Sequence, residues 1–190
     1  MREFLKLLAI LLVFFAGSAI TLSYTYTKTK PIIEERKQKK KLEAISEVLP
    51  PFDNDPVKEG IVIWDEKHGN VEFYIGKKGK VFTGVAFLGE TTGYGGKVTM
   101  ILGVTPDGKL HGIKIIDHNE TIGLGSKITE PSFLRQFNGR GIDSAKWDVK
   151  KTGGDFDEIS SATISSRAVI KGVREGLELF EKNKGRILTN

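Results

Sequence analysis

The sequence predicts an α+β fold, in which an antiparallel sheet packs against a few helices, preceded by one long apolar helix. Short runs rich in β-branched and aromatic residues, separated by turn residues, indicate the strands. Near the C-terminus, apolar side chains recur at helical spacing. At the other end, residues 7–27 contain no charged side chain.

The middle of the chain carries the strand signals. Strands are predicted at residues 60–64, 71–75 and 81–87, with turns at residues 69–70 and 78–79. A clearer hairpin is predicted from residues 98–104 and 110–116, joined through Pro106-Asp107-Gly108. The order of these elements favours an antiparallel sheet with helices packed against it.

Two helices are predicted after the sheet. Residues 131–137 form the first. The second runs over residues 165–182, where Val169, Val173, Leu177 and Phe180 form one apolar stripe. Ser165 or Ser166 is expected to cap this helix, so Thr163 would lie just before its N-terminus.

The N-terminal segment, residues 1–27, is predicted to be a transmembrane anchor. Its uncharged stretch is long enough to span a bilayer as a helix, and it lacks the polar face of a helix buried in a soluble protein. A cleaved signal peptide is the competing interpretation, because Arg2 and Lys6 precede the apolar run and Ala16-Gly17-Ser18-Ala19 is rich in small residues. The retained single-span anchor is the prediction.

Residues 28–50 are predicted to form a charged juxtamembrane linker, in which residues 31–49 are helical and Pro50-Pro51 ends the helix. Residues 51–190 remain as the folded domain. Residues 28–41 carry seven Lys or Arg and two Glu, hence +5, while residues 1–27 carry +1, so the rest of the chain carries −1 to give the total of +5. The basic character therefore belongs to the linker. A contact with lipid headgroups is expected there, and no nucleic-acid surface.

Composition excludes several kinds of site. The chain has no Cys, which excludes disulfides, thiolate nucleophiles and iron–sulfur ligation. Its His residues, His68, His111 and His118, are not spaced like metal ligands. We therefore predict neither a metal site nor a catalytic residue of the protein's own.

Residues 157–166 form the segment with the most chemical content. Hydroxyl side chains surround an Ala162-Thr163 step, and the C-terminal helix follows at once. Free backbone N–H groups and the helix dipole at such a position favour an anion. Composition alone favours the simpler interpretation, a Ser/Thr-rich loop that caps a core helix.

The same segment resembles the flavinylation motif of the flavin-binding domain shared by the G subunit of the Rnf electron-transport complex and the C subunit of the sodium-pumping NADH:quinone reductase. The matching positions are Asp157, Ser160, Ser161, Ala162, Thr163, Ile164, Ser165 and Ser166. Ser161 stands where the family usually has Gly, a position whose backbone conformation only Gly adopts cheaply. The resemblance implies FMN joined through a phosphoester to Thr163.

A second segment resembles the same family. His118-Asn119-Glu120-Thr121-Ile122-Gly123-Leu124-Gly125-Ser126-Lys127 is similar to the family's His-x-Glu-Thr-Pro-Gly-Leu-Gly-x-Lys loop, with Ile122 in place of Pro. Gly93-Tyr94-Gly95-Gly96 and Glu130-Pro131-Ser132-Phe133-Leu134 extend the match. The resemblance implies that the flavin site also includes Tyr94, Glu120, Thr121, Gly123, Leu124, Gly125 and Lys127. Tyr94 and Trp147 are candidates to stack on the ring, or else core residues.

The resemblance also implies a function. It predicts a membrane-anchored electron-carrier subunit of a ferredoxin:NAD oxidoreductase that translocates ions, without independent substrate turnover. Its partners would be the other subunits of the complex and a flavin transferase for maturation. The domain would face the extracytoplasmic side of the cytoplasmic membrane, although counting basic residues places it inside. Two alternatives are the equivalent subunit of the sodium-pumping quinone reductase and an anchored binding or assembly protein without flavin.

Overall fold

The computed structural model describes residues 1–189, and side chains 37 and 38 fall outside that description. It has two compact units, Met1–Lys40 and a second that begins at Lys41. Helix α1 spans Arg2–Val48 with Pro31 inside it, so it runs unbroken across the predicted junction between anchor and linker. The predicted stop before Pro50-Pro51 is confirmed.

In the first unit, α1 is fully exposed over its apolar window, whose mean hydropathy is 2.3. By length and composition this helix can cross a membrane. Several hydroxyl side chains along it bond back to the preceding turn; the Thr21 Oγ1, for example, donates to the Gly17 carbonyl at 2.9 Å. Such bonds satisfy hydroxyl groups that lipid cannot.

The second unit contains a five-stranded antiparallel sheet in the order of the sequence, β1-β2-β3-β4-β5. The strands are β1 Ile61–Asp65, β2 Gly69–Lys78, β3 Val81–Thr92, β4 Lys97–Val104 and β5 Leu110–His118. Both the predicted antiparallel sheet and its hairpin at Pro106-Asp107-Gly108 are confirmed. The predicted turn at residues 69–70 is wrong. Asp65 accepts the backbone N–H groups of Lys67 and His68, which places the turn three residues earlier, at residues 66–68.

One face of the sheet is covered by the C-terminal helix α3, Thr163–Leu188. Val169, Val173 and Leu177 are fully buried against the strands, as their helical spacing predicted. Gly176 lets the helix lie close to the sheet, because a Cβ atom there would sit 2.2 Å from Leu102 Cδ1. Burying three such side chains contributes roughly 1.5–3 kcal/mol each.

The other face is covered by the last turns of α1, which belong to the second unit. Ala44, Ile45, Val48 and Leu49 pack against Tyr74, Ala86 and Ile101. His111 Nδ1 lies 2.9 Å from the Val48 carbonyl oxygen. The core therefore includes residues that the sequence assigned to the linker.

Between β5 and α3 the chain forms short helical turns. They are Gly125–Thr129, α2 Pro131–Leu134, Arg135–Phe137, Ile142–Ser144 and Lys150–Thr152. The predicted helix at residues 131–137 is thus one α-helical turn followed by one 3-10 turn. Aromatic rings pack together in this region, with centroids 4.9 Å apart both between the buried Phe137 and Phe156 and between Phe156 and the partly buried Trp147.

Candidate functional site

Thr163 is the first residue of α3, so the helix begins two residues earlier than predicted. Ala162 occupies the N-cap position, and no side chain caps this end of the helix among the residues described. The backbone N–H groups of the first turn therefore have no partner within the helix. An uncapped helix N-terminus of this kind favours an anionic group.

Ser165 and Ser166 do not cap the helix, contrary to expectation, because both are buried within it. The Ser166 Oγ accepts the Ile159 N–H at 2.9 Å and donates to the Ala162 carbonyl at 3.0 Å. The Ser165 hydroxyl donates to Glu120 Oε2. Both hydroxyls thus fasten the start of the helix to neighbouring loops and leave the helix end open.

Glu120 joins three segments of the site. Its side chain is only 5% exposed. Besides the bond from Ser165, its Oε1 accepts the Gly95 N–H at 3.1 Å, and its own N–H donates to His118 Nδ1 at 3.2 Å. A Cβ atom at Gly93 would lie 2.1 Å from Glu120 Oε1, so the carboxylate fills space that only Gly leaves open. Burial with these partners makes Glu120 the connection between the Gly-rich turn, its own loop and α3.

A cavity of about 600 Å³ opens where these segments meet. Ten of the predicted site residues line it: Tyr94, Glu120, Thr121, Leu124, Gly125, Ser161, Ala162, Thr163, Ile164 and Ser165. Tyr94, Leu124 and Ile164 are 71%, 46% and 58% exposed, so the cavity has apolar walls at its open side. Glu120 and Ser165 supply buried polar groups among the lining residues.

Ser161 has a φ of +64°, the left-handed conformation. It is the single non-Gly residue with positive φ among residues 1–189. The sequence singled out this position because the resembled motif usually has Gly there. The backbone takes the Gly-like conformation although the side chain is Ser.

The other predicted site residues lie outside the cavity lining. Lys127 and Asp157 line a separate cleft of about 280 Å³. Asp157 pairs with Lys150 at 2.8 Å. Gly123 lies in a turn with a φ of +80°, and Ser160 is exposed. The expected position of Lys127 beside a bound ring thus has no support from the cavity lining.

Trp147, the second stacking candidate, is a core residue. Its ring packs on Phe156, and its Nε1 donates to the Ile142 carbonyl at 2.8 Å. Tyr94, in contrast, lies at the cavity with its side chain exposed. Of the two stacking candidates, Tyr94 is the one placed to contact a ligand.

An ion pair steadies the start of α3 from outside the cavity. The Arg167 Nε lies 3.2 Å from Asp148 Oδ1, and another guanidinium nitrogen donates to Thr152 Oγ1 at 3.0 Å. The Val149 N–H and the Thr152 hydroxyl, together with Arg167, hold the pKa of Asp148 below its usual range. Because both partners of this pair are substantially exposed, its contribution to stability is small.

Gln136 is a site neighbour that the sequence did not single out. Its Oε1 accepts the Asp157 N–H at 2.7 Å, and its Nε2 donates to the Asp157 carbonyl at 3.2 Å. A single Gln between Arg135 and Phe137 carries no local signal for such a contact. Only the fold brings residues 136 and 157 together.

The cavity fits an FMN group. Its volume lies within the usual range for small-molecule sites, and it combines apolar walls with a few polar groups. A flavin ring suits the walls formed by Tyr94, Leu124 and Ile164. The uncapped N-terminus of α3, next to the Thr163 hydroxyl, suits a phosphate.

Comparisons with known proteins agree with this fit. Residues 93–178 match the FMN-binding domain family. The C subunit of the Na+-translocating NADH-quinone reductase from Parabacteroides distasonis has a similar fold, with a TM-score of 0.53 and 20% identity over 73% of this chain and 79% of that one. NqrC from Shewanella oneidensis gives a TM-score of 0.54 and 21% identity over 76% and 70%.

Three relatives with higher identity are G subunits of ion-translocating oxidoreductase complexes. The protein from Cereibacter sphaeroides is 34% identical over 178 residues, covering 90% of this chain and 81% of the relative. That from Stutzerimonas stutzeri is 34% identical over 84% and 72%, and that from Vibrio cholerae is 30% identical over 94% and 90%. The chain therefore belongs to the family of G subunits of ion-translocating oxidoreductase complexes.

Proposed function

We propose that this chain holds FMN as a phosphoester on Thr163 and passes electrons between other subunits of an ion-translocating ferredoxin:NAD oxidoreductase. That it is an FMN-carrying subunit of an ion-translocating oxidoreductase complex follows from its family and from its FMN-binding domain. The proposal adds three points: the covalent bond, the electron donor and acceptor, and the absence of independent turnover.

The observation that carries the covalent bond is the position of Thr163. This residue lines the cavity and is the first residue of a helix that lacks a side-chain cap. A phosphate esterified to its Oγ would lie beside the free N–H groups of the first turn and the positive end of the helix dipole. The flavin ring could then reach the apolar walls at Leu124 and Ile164.

A separate flavin transferase is part of the proposal because a Thr hydroxyl is a weak nucleophile. Among the residues lining the cavity, Glu120 is the one carboxylate, and both of its oxygens already accept hydrogen bonds from Gly95 and Ser165. We therefore assign the base to the transferase. The donor would be a flavin dinucleotide: the Thr163 Oγ–P bond forms, the pyrophosphate P–O bond breaks, AMP leaves, and the hydroxyl proton goes to the transferase base.

In the assembled complex, the role of this chain is to position the flavin. FMN, when bound, accepts and donates electrons, while the protein sets its position and surroundings. Leu124 and Ile164 offer apolar surface for the ring, and Glu120 joins the segments that carry them through its bonds with Ser165 and Gly95. A covalently held flavin stays at high effective concentration beside its partners, which suits a relay between subunits.

The chain is anchored in a membrane through the apolar part of α1. We further propose a single span in the cytoplasmic membrane, with the FMN domain on the extracytoplasmic side, where the transferase would act. The basic stretch of residues 28–41 would contact lipid headgroups. Membership of the G-subunit family favours this assembly over the sodium-pumping quinone reductase, whose C subunit resembles the chain in fold at 20% identity.

Intact mass measurement tests the proposal. The protein would be isolated from its native membrane and denatured, and the tryptic fragment that ends at Arg167 mapped. We expect the mass of the fragment to increase at Thr163 by that of FMN less one water. This increase should be lost in Thr163→Ala. It should be retained in Thr121→Ala, a control at a second Thr of the same cavity. Covalent FMN on Thr163→Ala protein would contradict the assignment of the acceptor. An unmodified wild-type mass would contradict the covalent link itself.

Complex purification tests the partners. We expect the chain to co-purify with iron–sulfur subunits of a ferredoxin:NAD oxidoreductase. Co-purification with quinone-reactive subunits instead would identify the alternative assembly. A colourless protein without either set of partners would favour the anchored binding protein.

A further inference from the structure

The main chain of Asp157 is held by a side chain from outside the flavinylation motif. The Asp157 N–H donates to Gln136 Oε1 at 2.7 Å, and Gln136 Nε2 donates to the Asp157 carbonyl at 3.2 Å. The neighbours on each side reinforce the contact, because Phe137 and Phe156 stack at 4.9 Å with an interplanar angle of 24°. Residues 136–137 thus lie beside residues 156–157. Ring stacking joins Phe137 to Phe156, and hydrogen bonds join Gln136 to Asp157.

A second fixed point lies two residues further along. The Ile159 N–H donates to the Ser166 Oγ at 2.9 Å, and Ser166 is fully buried. The motif is therefore fastened at Asp157 and at Ile159, before Ser160 and Ser161 become exposed. The segment from Asp157 to Thr163 is short. It is held at one end by Gln136 and at the other by the start of α3.

The Asp157 carboxylate takes no part in the contact with Gln136. It is 72% exposed and forms an ion pair of 2.8 Å with Lys150, itself 60% exposed. An exposed pair of this kind is weak and opens readily. The carboxylate is thus available to a second protein while its backbone stays in place.

We propose that Gln136 is a positioning residue for flavin attachment. By fixing the Asp157 backbone, it presents that carboxylate and the Thr163 hydroxyl to the flavin transferase at a constant separation. This inference rests on the proposed function, because it concerns the same phosphoester. Gln136 touches neither the flavin nor the reacting atoms, and acts through Asp157.

The chemistry that Gln136 would assist is the transfer described above. The Thr163 Oγ–phosphorus bond forms, the pyrophosphate bond of the flavin dinucleotide breaks, AMP leaves and the proton passes to the transferase. Gln136 changes none of these bonds. Without Gln136, the Asp157 backbone would be freer to move, and its conformational entropy would have to be lost again when the transferase binds. The Asp157 carboxylate and the Thr163 hydroxyl would then fit the transferase for a smaller fraction of the time.

The test is a time course of attachment on the full chain in detergent. Protein made without flavin is mixed with purified transferase and a flavin dinucleotide, and covalent flavin is followed by intact mass. Gln136→Met removes both hydrogen bonds at similar size. Gln136→Glu keeps the acceptor for the Asp157 N–H and loses the donor. Arg135→Met is the matched control, an exposed neighbour on the same turn.

We expect Gln136→Met to slow attachment about tenfold, equivalent to 1.4 kcal/mol, with Gln136→Glu between it and the wild type and Arg135→Met unchanged. The change should fall mainly on the transferase KM for this chain, since Thr163 itself is intact. Thermal unfolding of each variant checks the fold, and Gln136→Glu serves if Gln136→Met does not fold. Attachment to folded Gln136→Met at the wild-type rate overturns the proposal. Wild-type protein that an active transferase never modifies overturns the proposed function and this inference with it.

Discussion

Replacing Ser161 by Gly should stabilise the domain, against the usual effect of a Gly substitution. Ser161 holds a φ of +64°, and the left-handed conformation costs a non-Gly residue roughly 1–2 kcal/mol. Against that gain, Gly returns about 0.4–1 kcal/mol of freedom to the unfolded chain. The net expectation is a stabilisation of about 0.5–1 kcal/mol.

For a domain of this size, that gain raises Tm by about 1–4 °C. The assay is calorimetry of the full chain in detergent, following the unfolding of the second unit. Ser160→Gly is the matched control, because Ser160 is also exposed and is absent from the positive-φ residues between 1 and 189. It should lose stability where Ser161→Gly gains it. If both variants lower Tm alike, the strain argument fails.

The same variant addresses flavin attachment. Because the backbone of Ser161 already has the conformation that Gly would adopt, Ser161→Gly should accept flavin at the wild-type rate. A clear acceleration would mean that the Ser side chain, and not the backbone, hinders the transferase.

Two further predictions concern the cavity wall and the fold. Leu124→Asp should make the flavin reduction potential more negative, because it places negative charge beside the ring, whereas Ile122→Asp, outside the cavity lining, should change it less; equal potentials in a redox titration would remove Leu124 from the ring. Lys182, followed by His68, holds the pKa of Asp65 well below its usual range. The stabilisation from Asp65 is therefore present above pH 4, roughly, and is lost as pH falls further. The Tm difference between wild type and Asp65→Asn should shrink in acid, and a pH-independent difference would contradict the assigned cause.

The sheet could be predicted because its signals are local. The Pro106-Asp107-Gly108 turn and the alternating apolar residues around it define β4 and β5 without reference to the rest of the chain. The turn between β1 and β2 was misplaced because the Asp65 side chain, and not Gly69, closes it. Side-chain hydrogen bonds of this kind compete with residue preferences and are not visible in a pattern of apolar residues.

The residues that line the cavity could be named from the sequence, but their arrangement could not. The motif around Thr163 supplied half of the residues that line the cavity, and the segments at residues 93–96 and 118–127 supplied the other half. Ser165 and Ser166 were expected to cap the helix because Ser is favoured at that position, yet both turn inward to Glu120 and Ile159. Those partners come from other parts of the chain, so no local rule could have assigned them. Gln136 escaped notice for the same reason.

The meander topology has a consequence for how the protein matures. The two faces of the sheet are closed by the end of α1 and by α3, which lie at opposite ends of the chain. Thr163 opens the last of these elements, and Glu120, which fixes it, precedes it by more than forty residues. Under the proposed chemistry, a chain that still lacks α3 would have no attachment site. A covalently bound flavin would therefore mark chains whose synthesis and folding are complete. The complex could then incorporate only subunits that are able to transfer electrons.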